Sequence, residues 1–228
     1  MSSRQEFEED LSVLLSRLTL DSDDEVKKKL NVLKGRLVAL RKENMVKINH
    51  SIFELACGKY LIEKGYELQL EYPLNDLLTC DLLGTKGLGN LIVEIETGFI
   101  PPESALAPLT YTSARLASKI IRYSSFAGAF ALGVPPHYIL PFPRVLAKPP
   151  RQRKDRELEQ VKRLVDAYYQ KPPVTLDEIR NARIHEIYII DVDHAKVQEI
   201  DPEAYLRRAI HRGIVYDYVP VEVTGEKS

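Results

Sequence analysis

The chain contains no tryptophan, two cysteines and two methionines in 228 residues. Cys57 and Cys80 both lie in apolar surroundings. Two cysteines cannot build a zinc site alone, and their setting predicts reduced thiols rather than a disulfide. No apolar run approaches the roughly 20 residues that span a bilayer. The opening MSSRQEFEEDL is too acidic and polar for a secretory signal. These absences predict a cytoplasmic protein with no membrane partner. An excess of one charge is lacking as well: 32 Lys and Arg stand against 33 Asp and Glu, a net −1. Nucleic-acid binding would therefore have to come from local basic patches. There is no phosphate-binding glycine loop, dinucleotide fingerprint, His/Cys metal cluster, nucleophile elbow or internal repeat. With 44% hydrophobic and 29% charged residues, the composition fits a sizeable globular core. The supply of Lys, Arg and Glu is compatible with a thermophile source.

The most informative stretch is TCDLLGTKGLGNLIVEIETG, Thr79 to Gly98. Leu91, Val93 and Ile95 alternate with Ile92, Glu94 and Glu96, a period of two that places both glutamates on one face of a strand. Asp81 lies in the preceding strand, and the glycine-rich turn between the two predicts antiparallel neighbours, with Asp81 close to Glu94. Crowded carboxylates on half-buried strands repel one another unless a cation lies between them. Oxygen ligands alone favour a hard ion, Mg²⁺ or Mn²⁺.

Upstream, Phe7, Leu11, Leu14, Leu15 and Leu18 share a face of a helix over 4–19. Ser22 is the expected N-cap of a second helix at about 23–43, with Glu25 as its capping-box partner. Val26, Leu30, Leu33, Leu37 and Leu40 form an a/d seam. The pair reads as a helical hairpin over 1–46, either packed on its own domain or serving as the dimerisation arm of a homodimer. A third helix over 49–65 places Glu54 at the centre of its apolar face, beside Gly58. A buried carboxylate wants a partner. That partner is either an internal cation or the acidic strands, to which this helix would deliver a fourth acid.

Further strands are expected at 67–73 and 128–135. A helix from Ser104 to about 126 carries Arg115, Lys119 and Arg122 as a basic stripe. The proline-rich 135–153 is expected to be an irregular surface loop. Arg144, Lys148, Arg151, Arg153 and Lys154 make its end the most basic part of the chain, either a phosphate-contacting loop or ordinary solvated surface. Helices are expected at 154–169, 175–183 and 202–212, and a strand at 185–193. Asp191 and Asp193 there suggest strand-end acids at a turn rather than a second metal site. VYDYVPVEV suggests an edge strand.

The order is thus helix with buried Glu, strand, strand with Asp, strand with Glu-x-Glu, helix, strand. Over about 48–135 this resembles the PD-(D/E)XK nuclease superfamily, the restriction-endonuclease-like fold that includes archaeal Holliday-junction resolvases. The resemblance implies an α/β protein with a mixed central sheet flanked by helices over 47–228. It implies Asp81, Glu94 and the Ile95 carbonyl as ligands of Mg²⁺ or Mn²⁺, and Glu54 as the acid of the first helix. The family lysine slot holds Glu96. In some members the lysine migrates to the next helix, where Lys119 stands; Lys86 in the turn is a weaker candidate. The implied function is metal-dependent hydrolysis of phosphodiester bonds in DNA, with Arg115, Arg122 and the 144–154 cations on the nucleic-acid backbone. The competing expectations are an inactive nuclease-fold module that binds nucleic acid or a protein, and a helical scaffold whose acids serve only folding.

Overall fold

A computed structural model of the chain describes residues 3–211 and divides into two compact units. The first holds the chain up to Phe99, with Phe126–Ile139 and His185–Ile200. The second holds Ile100–Ser125, Leu140–Ile184 and the chain from Asp201. The chain leaves the first unit after β3 and again after β4, and returns each time.

The first unit is α/β. Helices α1 (Ser3–Leu18), α2 (Asp24–Lys42) and α3 (Ile48–Glu63) precede β1 (Glu67–Pro73), β2 (Thr79–Lys86), β3 (Gly89–Ile95), β4 (Ala129–Val134), β5 (Glu186–Asp191) and β6 (Lys196–Ile200). The six strands form one open mixed sheet in chain order. β1, β2 and β3 are antiparallel, β4 and β5 run parallel to β3, and β6 returns antiparallel. Gly87, at φ +57°, makes the tight β2–β3 turn.

Leu82, Leu91, Val93, Ile95, Ala131, Tyr188 and Ile190 form a single core with the apolar faces of α1, α2 and α3. The expected a/d seam lies inside this core. Val26, Leu30, Leu33, Leu37 and Leu40 are all buried within the one chain, so this seam packs in the core of its own unit. The cap of α2 lies one residue later than expected. Asp23, not Ser22, accepts from the Val26 amide, and the Ser22 hydroxyl instead bonds the Leu18 carbonyl. Gly58 serves close packing: a Cβ there would come within 2.4 Å of Leu33 in α2. It makes room for a neighbouring helix, not for Glu54.

β6 was not expected from the sequence. Its KVQEI is a polar edge segment that becomes a strand by pairing with β5. In the intervening turn Asp191 accepts from the His194 amide, and its carboxylate meets the His194 ring at 2.8 Å. That contact holds the Asp191 carboxyl below its usual range, so these acids shape a turn.

The second unit is helical among the described residues. A 3-10 turn at Pro102–Ser104 comes before α4, which starts at Pro108 rather than Ser104 and ends at Tyr123. α5 (Asp155–Asp166), α6 (Leu176–Asn181) and α7 (Pro202–His211) follow. The proline-rich segment is not a surface loop. Leu140, Phe142, Val145 and Leu146 are buried, and two short 3-10 turns carry the backbone. The expected strand at 215–223 lies outside the described residues. No helix among the described residues is long and apolar enough to cross a membrane.

Candidate metal centre

The site forms where the β2–β3 ladder ends. Pairing runs from Lys86 opposite Gly89 to Leu82 opposite Val93. One step further, side chains replace the ladder. The Ile95 amide donates to Asp81 Oδ2 at 2.6 Å, and the Asp81 amide donates to Glu94 Oε1 at 3.0 Å. Asp81 and Glu94 are therefore held across the splayed strand ends, as the strand pattern predicts. A carboxylate that accepts an amide hydrogen bond is favoured in its charged form.

α3 supplies the other two groups. His50 and Glu54 are four residues apart, so they share a helix face. His50 Nε2 lies 3.2 Å from Asp81 Oδ2. One ligand atom each of His50, Glu54 and Asp81 lie within 4.8 Å of one another. Among the described residues this is the one such His/Cys/Asp/Glu group. Glu54 is wholly buried, and among the described residues neither of its oxygens has a hydrogen-bond partner. The Ser51 hydroxyl one turn earlier is buried and unbonded too. Among the described residues no arginine or lysine pairs with Glu54, so the internal ion pair allowed by the sequence is not made there. Burial raises the Glu54 carboxyl to about 8, the Asp81 charge and then the Glu71 charge add to the rise, and His50 opposes it. The side chains of His50 and Asp81 are 32% and 13% exposed, so the group opens to solvent on their side.

In its comparisons with models of known families, with curated proteins and with solved structures, the chain matches none. The residues alone therefore carry the functional argument.

The other expected residues are distributed as follows. Glu96 is buried one residue past β3, where its amide donates to the Gly133 carbonyl, and it is not in the three-residue group. Ile95 enters through its amide, bound to Asp81. Lys86 donates to the Lys64 carbonyl at 2.7 Å and lies over the Tyr66 ring, which occupies it elsewhere. Arg115, Lys119 and Arg122 lie half-buried on α4 of the second unit. Arg122 donates to the Pro172 carbonyl at 2.6 Å, and Arg115 stacks over Tyr111.

Arg153, expected on a phosphate, is instead 4% exposed. It donates to the carbonyls of Lys148 (3.0 Å), Ile179 (2.7 Å), Arg180 (3.0 Å) and Leu146 (3.0 Å). Burial, with Arg183 nearby, lowers it to about 10. It ties the proline-rich segment, through Leu146 and Lys148, to the end of α6 at Ile179 and Arg180. Lys148 pairs with Glu157, while Arg144, Arg151 and Lys154 remain exposed.

Sequence reasoning missed His50. The available signal was its position four residues before a buried glutamate, in the first turn of the same helix. Cys57 and Cys80 are free and buried. Burial, followed by the charges of Glu94 and Asp81, pushes the Cys80 thiol up to about 12, which keeps it protonated.

Proposed function

We propose that the chain is a divalent-metal-dependent nuclease that hydrolyses phosphodiester bonds in DNA, on a restriction-endonuclease-like core. One observation carries the reading. Glu54 is fully buried, has neither oxygen hydrogen-bonded, and lies with His50 and Asp81 at ligand spacing. A carboxylate in that position is unfavourable until a cation or a proton completes it. One imidazole nitrogen with two carboxylates suits Mn²⁺ better than Mg²⁺, which prefers oxygen alone. The element order supports the same reading: α3, β1, β2, β3, α4, β4, with β1 to β3 antiparallel and β4 parallel to β3.

A cation there would activate a water and draw charge from a phosphoryl oxygen. His50, Glu54 and Asp81 would hold it, and Glu94 fixes Asp81 through the backbone amide. Glu96 would accept the proton of the attacking water, and the leaving oxygen would take a proton from solvent as its bond to phosphorus breaks. Arg144, Arg151 and Lys154 are exposed cations that would contact a phosphate backbone.

A second reading, a nuclease-fold module without catalysis, is favoured by Glu96 in the family lysine slot. Incubation with supercoiled and branched DNA in MnCl₂ or MgCl₂ separates the two. Cleavage that disappears in Asp81→Ala and Glu94→Ala is expected. Cleavage that survives in both overturns the enzyme reading, and binding without cleavage favours the module.

A further inference from the structure

Among the described residues β1 is an edge strand: β2 pairs with one side of it and no strand pairs with the other. A cleft of about 810 Å³ runs along β1 and α2. Successive residues of β1 line it, from both faces of the alternation, so it opens on the strand edge. Its apolar floor includes Leu33, Leu68 and Leu70. Lys29 is engaged there, 3.0 Å from Glu25 and 2.7 Å from Glu67.

The α2 wall carries a stripe that packing within the unit does not account for. Lys28, Val32, Gly35 and Arg36 fall within an arc of about 100° of the helix, apart from the buried seam. All four are exposed, Val32 at 70%. A Cβ at Gly35 would meet nothing within 4 Å, so no contact of the fold asks for a glycine there. In mid-helix a glycine is a weaker helix former than alanine. An exposed valine and a glycine between two cations suit a surface that another chain approaches closely.

The spacing says what kind of chain. Lys28 and Arg36 are about 12 Å apart along the helix axis, with Val32 midway. In an extended chain, side chains on one face recur about every 6.6 Å, so residues i, i+2 and i+4 match the stripe. The strand edge offers backbone hydrogen bonds along Glu67–Leu70, up to the point where Glu71 takes φ +46°. A polyanion fits less well, because Glu25, Glu67 and Glu71 also line the cleft and would repel a continuous row of phosphates.

We propose that the cleft between α2 and the β1 edge binds an extended protein segment of the pattern acidic–x–apolar–x–acidic. The segment adds as a strand to Glu67–Leu70, sets its two acids against Lys28 and Arg36, and covers Val32 with its apolar residue. This surface is independent of the metal reading given above.

The test is fluorescence-anisotropy titration of a labelled, end-blocked peptide, TDTVTDT, with the full chain. TKTVTKT and labelled oligothymidylate serve as comparison probes. TDTVTDT is expected to bind saturably and TKTVTKT not to bind. Lys28→Glu and Arg36→Glu are each expected to weaken TDTVTDT about tenfold, and the double variant to prefer TKTVTKT. Gly35→Leu is expected to block the peptide while melting no lower than wild type. N-methylation of alternate peptide amides is expected to abolish binding in one phase and spare it in the other, since only one set faces β1. The proposal is overturned if TDTVTDT does not saturate, if TKTVTKT binds equally well, or if the charge variants or Gly35→Leu leave binding unchanged. Equal binding of both methylation phases removes the strand addition and overturns it as well. Tighter binding of oligothymidylate that falls in the same variants would make the cleft a nucleic-acid groove. A dimer that dissociates in the double variant would give it to a second copy. Either result overturns the proposal.

Discussion

Replacing Glu54 with glutamine removes one ionisable group from a fully buried position and leaves the packing nearly unchanged. In the metal-free protein the Glu54 carboxyl titrates at about 8, against an ordinary value of 4.5. Between those values the folded chain keeps a proton that the unfolded chain has released. Stability contributed by this group is therefore complete below about pH 4.5 and is lost as pH rises through about 8. The loss over that window is on the order of 4 kcal/mol. For a urea dependence of about 2–3 kcal/mol per molar, it lowers the unfolding midpoint by about 1.5 M. Glutamine has no proton to lose. Glu54→Gln should match wild type near pH 5 and exceed it clearly at pH 8, when both are unfolded in urea with chelator present. Mn²⁺ should reverse the wild-type trend, because the ligand form is the carboxylate and binding must release the proton. Equal pH slopes in wild type and Glu54→Gln would refute the reasoning, since Glu54 would then have a partner or water that the geometry does not provide.

Three further outcomes follow from particular contacts. Asp81→Ala leaves the Ile95 amide without its acceptor at the splayed end of β2 and β3. It should lower metal-free stability by about 1–2 kcal/mol, read from denaturant midpoints, because the lost hydrogen bond is only partly offset by relieved repulsion. Arg153→Ala strands four carbonyls, those of Ile179 and Leu146 buried and those of Lys148 and Arg180 partly buried, and should cost about 3–5 kcal/mol. Arg153→Lys should recover little, since an ammonium cannot reproduce the planar fork; thermal melts of the pair check this. Gly58→Ala brings a methyl to 2.4 Å from the end of the buried Leu33 side chain and should cost about 1–3 kcal/mol in the same melts, because Leu33 must shift within the core.

The sequence makes some of this fold legible because local rules suffice there. Period-two alternation and the Gly87 turn set the β2–β3 register, so Asp81 opposite Glu94 follows from residues within one hairpin. The helical wheel is enough to bury Glu54. What stayed hidden depends on distant partners. His50 is a polar residue in a first turn, and only the approach of β2 makes it a neighbour of Asp81. β6 has too few apolar alternates to read as a strand without β5 beside it. Arg153 looks like a solvated cation in a proline-rich run, yet two of its acceptors, Ile179 and Arg180, lie 26 and 27 residues further on. Glu71 has a left-handed backbone, φ +46°, inside β1, and nothing in a segment that otherwise alternates as a strand signals it.

The central claim is that a buried carboxylate, a second carboxylate and an imidazole are held together for a divalent cation. Crystals soaked in MnCl₂ and recorded at an anomalous wavelength test it most directly. The account predicts a manganese peak within about 2.0–2.4 Å of His50 Nε2 and of a carboxylate oxygen of each of Glu54 and Asp81. A difference map with no peak there, and with Glu54 still buried and unbonded, would contradict it.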